Sequence, residues 1–358
     1  MRRASWIISS VSVLLVAAGA VSKFAVYPQL HQMPDDLDGN MEFRGVLTAM
    51  DPQAVQRGDF AQAIIRDLPV TADRNVKAVH TSGSTIVLND RTEIYGPTRQ
   101  VVSTTEHQYA LHRENALERP APEGVKAEPH GGLTAAFPLS PEKRDYPFWD
   151  AETQKPVDAK YTGTEKREGR TVYVYTITAQ GPLADPVLVS ALPTELPKAA
   201  LQAINPSAAL ADAPDMVPLT YISTTRMVGY VDSETGVAIA LESDKSVTAQ
   251  AQGVEVFPVA QGKLTTTEAS QKDLADQAAT AAMAFWLLSD AGPYGAWALA
   301  ALLILLAVWL EYRGRRAQAA DGATPVPQQR DAAEPEPRTG ETVTAGATRT
   351  ESPAEQQP

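Results

Sequence analysis

The sequence contains no cysteine. That excludes disulfides, thiolate metal sites and a cysteine nucleophile. Aromatic residues make up only 6% of the chain, so any place where they gather is informative. Histidine is scarce as well: the five are His31, His80, His107, His112 and His130. None of them has the H-x-x-x-H spacing of a helical metal site, and His107 and His112, five apart in a β-rich stretch, fall on opposite faces of a strand. A G-x-S-x-G nucleophile elbow is missing, so "HGGL" at His130–Leu133 reads as a turn and not as an oxyanion loop. No glycine-rich loop is set to cradle a phosphate. Asp36-Leu37-Asp38 has D-x-D spacing, but without a βαβ pattern around it the motif reads as a solvated acidic linker. Positive charge is in deficit, with 31 Lys and Arg against 43 Asp and Glu, a net charge of -12. A nucleic-acid partner needs clustered basic residues, so that class is excluded. The residues assign no catalytic group, no metal and no cofactor.

What the chain does have is two long runs without charge. Ala4 to Ser22 and Gly292 to Leu310 are each 19 residues long. At about 1.5 Å per residue, each spans about 30 Å, the hydrocarbon thickness of a bilayer. Tyr294, Trp297, Trp309 and Tyr312 stand near the ends of the second run, as in an aromatic belt. The first run reads as a retained signal-anchor; the alternative is a cleaved signal peptide, with Ala18-Gly19-Ala20 as the cleavage site. Arg2 and Arg3 precede the first run, and Arg313, Arg315 and Arg316 follow the second. The positive-inside rule then puts both termini in the cytoplasm of a plasma-membrane protein and the long central segment outside. The expected organisation is a transmembrane helix at 1–26, a β-rich extracytoplasmic domain at 27–267, an amphipathic membrane-proximal helix at 268–290, a second transmembrane helix at 291–312 and a basic flank with a disordered tail at 313–358. From residue 317 on, the chain is rich in Ala, Pro, Glu, Thr and Gln and lacks the apolar residues for a core.

The central segment reads as mainly β, giving an α+β ectodomain between two helices. Asn89-Asp90, inside Ser84 to Gly96, gives one hairpin signal. Glu168-Gly169 joins two strands within Ala159 to Ala179, and both faces of the second of these are apolar, which predicts a sandwiched strand. "DSETG" closes a hairpin within Tyr221 to Ser243, with Gly236 at a left-handed position. Further strands are expected at Val101–Leu111 and Gly253–Thr266. A short helix is expected from Glu195 to Ile204. Leu274, Ala278, Ala281, Phe285 and Leu288 at helical spacing predict an amphipathic helix that stops at Asp290-Ala-Gly-Pro293.

The densest local signal is "EKRDYPFWDAET", Glu142 to Thr153. Pro141 and Pro147 restrict the backbone around Tyr146. Phe148 and Trp149 are then expected to face different sides, Asp150 to cap a turn, and Lys143 and Arg144 to pair with Asp145. Two readings stay open. The stretch is a structural corner, or Tyr146, Phe148, Trp149 and Asp150 contact a sugar or lipid.

Three separated motifs, "FPLSPEKRDYPFWD", "YTGTEKREGRTVYVY" and "STTRMVGYVDSETGV", fall in order between the two apolar runs. This arrangement resembles a family of actinobacterial two-transmembrane envelope proteins of unknown function, also labelled PorA-family porins, over about residues 5 to 315. Members are linked to lipomannan maturation and lipoarabinomannan synthesis. The resemblance implies an accessory role in lipoglycan assembly, by binding or scaffolding, and supplies no catalytic residues. The implied partners are the bilayer, envelope lipoglycans or lipids, and membrane glycosyltransferases. A membrane β-barrel is not expected, because charged, proline-rich loops separate the strands and the anchors are already helical. Two further readings are a lipid-transfer protein with an ectodomain tunnel, by analogy with the eukaryotic scavenger-receptor class, and an envelope hydrolase or transferase with two carboxylates facing one cleft.

Reporter fusions test the topology. A cytoplasmic reporter is expected to be active after Arg316, and an export-dependent one at a central loop. An export-dependent reporter active after Arg316 would overturn it.

Overall fold

The computed structural model describes residues 2–208, 210 and 212–321. The tail expected from residue 317 begins as helix, since α7 runs on to Asp321, and from residue 322 onward that expectation lies outside the described residues. Helix α1 (Arg2–Val21) passes through a π turn at Ser22–Val26 into α2 (Tyr27–Leu30). Strand β1 (Asp38–Met50) and the short α3 (Pro52–Arg57) lead into the long strands β2 (Ile64–Ser82), β3 (Thr85–Tyr95) and β4 (Val101–His112). After a long connection come β5 (Tyr146–Asp150), β6 (Lys155–Arg167) and β7 (Arg170–Pro182). The small elements α4 (Pro186–Ala191), β8 (Glu195–Pro197), α5 (Lys198–Ile204) and β9 (Met216–Pro218) precede β10 (Thr220–Asp232), β11 (Ala238–Ala251) and β12 (Val254–Thr266). The chain ends in α6 (Glu268–Trp286), a second π turn (Leu287–Ala291) and α7 (Gly292–Asp321).

Ten strands form one curled antiparallel sheet in the order β4-β3-β2-β1-β12-β11-β10-β7-β6-β5. The mainly β expectation holds, with helices at both ends. The edge strands β4 and β5 are joined by residues 113–145, which bridge Leu111 to Glu118, Tyr109 to Glu128 and Leu133 to Phe148. His130 pins this patch: its ring nitrogens lie 2.8 and 3.2 Å from the carbonyls of Gly132 and Ala110. "HGGL" is thus a buried structural loop.

The turns at Glu168-Gly169 and Gly236 form as expected, with positive φ at all three residues. The Asn89-Asp90 hairpin does not form. Both residues lie mid-strand in β3, and the turn is at Gly83. Side-chain partners outweigh turn propensity here: Asn89 donates to Glu106 at 2.9 Å and Asp90 accepts both arms of Arg74. β7 is buried on both faces, as its sequence implies: Tyr175 and Ile177 join the main core, while Val172 and Val174 pack with Tyr230, Ile239 and Ala275. In the stretch expected to be one helix from Glu195, the first three residues pair with β9 and only Lys198–Ile204 is helical.

The expected helix stop at Asp290–Pro293 is also overturned: the helix runs unbroken from Glu268 to Arg316. Proline removes one helical donor and its ring presses on the carbonyl four residues back. The π turn relieves this, with the Gly292 N–H reaching Leu287 O instead. The same device precedes Pro28, where the Tyr27 N–H donates to Ser22 O. α1 and α7 pack antiparallel, and the first helix satisfies carbonyls of the second. Ser22 donates to Leu288 O at 3.1 Å, and Lys23 donates to Ser289 O at 2.9 Å and to the Tyr294 hydroxyl at 3.0 Å. Ser12, Ala300 and Ala307 are buried, as small residues are where apolar helices approach closely.

Gly45 in β1 sets the closest approach in the sheet, since a Cβ there would lie 1.8 Å from the backbone carbonyl oxygen of Lys263 in β12. Gly45→Ala is expected to destabilise the protein by about 1–3 kcal/mol through forced backbone movement, read by denaturant unfolding of the detergent-solubilised chain.

Candidate functional site

The curl of the sheet leaves a cavity of about 1160 Å³. This exceeds the roughly 300–1,000 Å³ of an ordinary small-molecule pocket. It follows from strand alternation. In β3, Leu88, Asp90, Thr92 and Ile94 face the cavity, while Arg91 and Glu93 face outward and pair at 2.6 Å. In β11, Leu241, Ser243, Lys245 and Val247 face in; Asp244 faces out and pairs with Lys263 at 3.4 Å.

The cavity wall has two apolar ends. One, near the two long apolar helices, includes Leu30, Leu274, Ala281 and Phe285. There Phe285 packs against Tyr27 and His31, with ring centroids 6.3 and 5.2 Å apart. The other, under α4, includes Met50, Leu188, Leu192 and Val247. Met283, Trp286 and Leu287 on α6 and its π turn, and Phe24 and Leu30 on the first helix, are exposed. These exposed apolar side chains lie on the same helical segments that contribute Leu30, Ala281 and Phe285 to that end of the cavity.

Charged side chains occupy the wall between these ends. Arg74 donates through Nε and Nη2 to the two oxygens of Asp90, at 2.8 and 2.6 Å. Burial alone pushes Asp90 up, but the facing guanidinium outweighs it and holds the carboxyl below its usual range. Across the cavity, Lys245 lies 3.0 Å from Glu152, whose other oxygen accepts from Ser223 at 2.5 Å. Glu152 holds the Lys245 ammonium above its ordinary value against burial, and Asp150 adds to the effect. His107 lies 2.9 Å from Glu128 and 3.9 Å from Asp185. Burial pushes the hydroxyl of Tyr109, stacked beside His107, well above its usual range. Among the described residues no group of three or more His, Asp or Glu is placed to hold a metal ion.

The four residues singled out from the sequence divide between the two readings. Tyr146 is buried in the main core, and its hydroxyl accepts from the Glu142 N–H at 2.8 Å. Asp150 is buried and caps a turn, accepting from the Thr153 N–H and hydroxyl. Phe148 and Trp149, expected to point apart, both pack on the core and both contribute to the cavity wall, as does Asp150. Asp145 does not pair with its basic neighbours: it accepts from the Tyr161 N–H, and Arg144 pairs with Glu142. The corner is thus also part of a wall. Sequence reasoning missed Arg74, Asp90, Glu152, His107 and Lys245. The available signal was their phase, since Arg74 alternates with Ala72 and Val76, and Asp90 with Leu88.

The pH dependence of stability follows from the two pairs. Asp90 has a lowered value, so its contribution is present above the usual carboxylate range near ~4 and is lost as pH falls through the lower folded value. Lys245 has a raised value, so its contribution is present below 10.5 and is lost as pH rises through the folded value above that. Melting temperature is expected to be flat between these limits. Asp90→Asn is expected to cost about 3 kcal/mol by stranding Arg74, and to shallow the acid limb.

No curated protein matches the chain. Among solved structures, a MaoC-like dehydratase aligns at 10% identity and a TM-score of 0.14, over 72% of this chain and 82% of its own. A putative MaoC domain dehydratase from Chloroflexus aurantiacus aligns at 11% identity and 0.14, over 72% and 80%. A conserved Mycobacterium tuberculosis protein with a double hotdog fold gives the same figures, 11% identity and 0.14 over 72% and 80%. At such TM-scores these likenesses carry no argument. The sequence profile of the family described as Porin PorA, in contrast, matches residues 4–309, and the chain belongs to that family.

Proposed function

We propose that the protein is a membrane-anchored lipid-binding protein of the cell envelope. It takes the apolar part of an amphiphile from the bilayer into the cavity of its curled sheet. The observation that carries this is the set of exposed apolar side chains on the same helical segments that contribute Leu30, Ala281 and Phe285 to a cavity mouth. The apolar parts of its lining gain contacts when an apolar guest fills the space.

The finer reading rests on the resemblance of the three motifs. The protein serves lipoglycan assembly in an actinobacterial plasma membrane, with both termini cytoplasmic and the sheet outside. Its cargo is an envelope lipid or lipoglycan intermediate, presented to a membrane glycosyltransferase. Phe148, Trp149 and Asp150 are ligand contacts, and Tyr146 supports them from the core. Channel activity, which the family's description names, fits poorly. A lipid-facing barrel wall is apolar outside, whereas the outward face here carries Arg91, Glu93, Glu106, Asp244 and Lys263. An enzymatic role finds little support, because Asp90 and Glu152 are each engaged by a cation, Asp150 caps the turn at Thr153 and Asp185 caps the start of α4.

Solvent extraction of the purified full-length protein is expected to release about one lipid per chain. Because the chain lacks cysteine, His31→Cys with Phe285→Cys gives a pair addressable by a short bis-maleimide at the mouth. Cross-linking is expected to slow exchange of a fluorescent diacyl lipid with vesicles by tenfold or more. A protein free of lipid, with exchange unaffected by the cross-link, would overturn the reading. Unchanged lipoglycans in a deletion strain would remove the lipoglycan role alone.

A further inference from the structure

We propose that the charged belt across the middle of the cavity is a binding site for the head group of the guest, and that it selects a neutral, hydroxyl-rich head group over an anionic one. The inference rests on the lipid-binding reading and adds a ligand class to it.

An apolar cavity for acyl chains has no need of charge, and ion pairs set in an apolar wall are weaker contributors to stability than well-packed apolar residues. Here two such pairs face one space. Arg74–Asp90 stands on β2 and β3, and Lys245–Glu152 on β11 and the turn after β5. They sense each other: Asp90 feels Arg74 first among charges, then His107 and Lys245, while Lys245 feels Glu152, Asp150 and Arg74.

The belt retains hydrogen-bonding capacity. Arg74 meets Asp90 with two of its five donors, and Lys245 meets Glu152 with one of its three. The Lys245 side chain is 40% accessible although it stands on an inward-facing position, so that surface is offered to the cavity. Hydroxyls of Thr92, Thr105 and Ser243 extend the same wall.

The charge balance decides the class. Arg74 and Lys245 carry two positive charges against four negative ones on Asp90, Asp150, Glu152 and Asp185, so the belt is net negative. A phosphate entering it meets four carboxylates and cations already engaged. A sugar or polyol hydroxyl both donates and accepts, and such a mixed belt offers it partners for both without adding charge to the interior.

The test compares two lipids with identical acyl chains, a monoglycosyl diacylglycerol and phosphatidylglycerol, each displacing a fluorescent diacyl probe from the full-length protein in detergent. The wild type is expected to prefer the glycolipid about tenfold or more, the worth of one charged hydrogen bond. In Arg74→Met with Asp90→Leu, which removes both partners and strands neither charge, the ratio is expected to fall toward one. Glu152→Gln is the second variant should that pair fail to fold: it removes one negative charge and releases Lys245, so the same fall is expected. Equal displacement by both lipids in the wild type, or a preference that survives a folded variant, overturns the head-group site while leaving lipid binding standing. Displacement by neither overturns both.

Discussion

The ladder between β1 and β12 is the constraint on which the rest of the molecule depends. It pairs Phe43 with Thr266 and Ala49 with Ala260, joining the first strand of the chain to the last. Because these strands are antiparallel neighbours, the segment before β1 and the segment after β12 leave the sheet at the same end. The two apolar helices are thereby delivered side by side. α6 starts where the ladder ends: the Thr267 N–H donates to Glu42 O, and Ser270 accepts from the Glu42 N–H. The helix that forms part of the cavity mouth is therefore fixed to the sheet by its first turn.

A closed sheet of about eight strands has an interior that side chains fill or that holds one small ligand, and the interior widens with strand number. Here dense packing is confined to clusters. One gathers Ile86, Leu88, Leu111, Tyr175 and Val231, and another lies under α4 and α5 around Leu201, Val217 and Phe257. Between them the strands stay apart around open volume.

Strand existence was legible in the sequence because period-2 apolar patterning and turn chemistry agree at Glu168-Gly169 and Gly236. It misled at Asn89-Asp90, where a local turn preference competes with two long-range side-chain pairs that the local pattern does not display. The helix stop at Pro293 was misplaced for a related reason. A π turn, supported by a second helix 266 residues away in sequence, removes the penalty that proline imposes. Within the candidate site, Phe148, Trp149 and Asp150 stood out by composition. The charges of the belt did not, since a charged residue in an alternating strand reads as solvent-facing until the face it shares with Ala72, Val76 or Leu88 is taken into account.

The paired π turns before Pro28 and Pro293 have a consequence for how the two apolar helices are held to each other. A lysine at the end of a membrane helix ordinarily snorkels toward whatever phosphate it finds, which lets the helix slide. Lys23 is instead tied to Ser289 O, to the Tyr294 hydroxyl and, at 3.8 Å, to Asp290. The two apolar helices are consequently locked in register with each other at this level. With α6 continuous through it, any shift of these helices would carry the cavity mouth along.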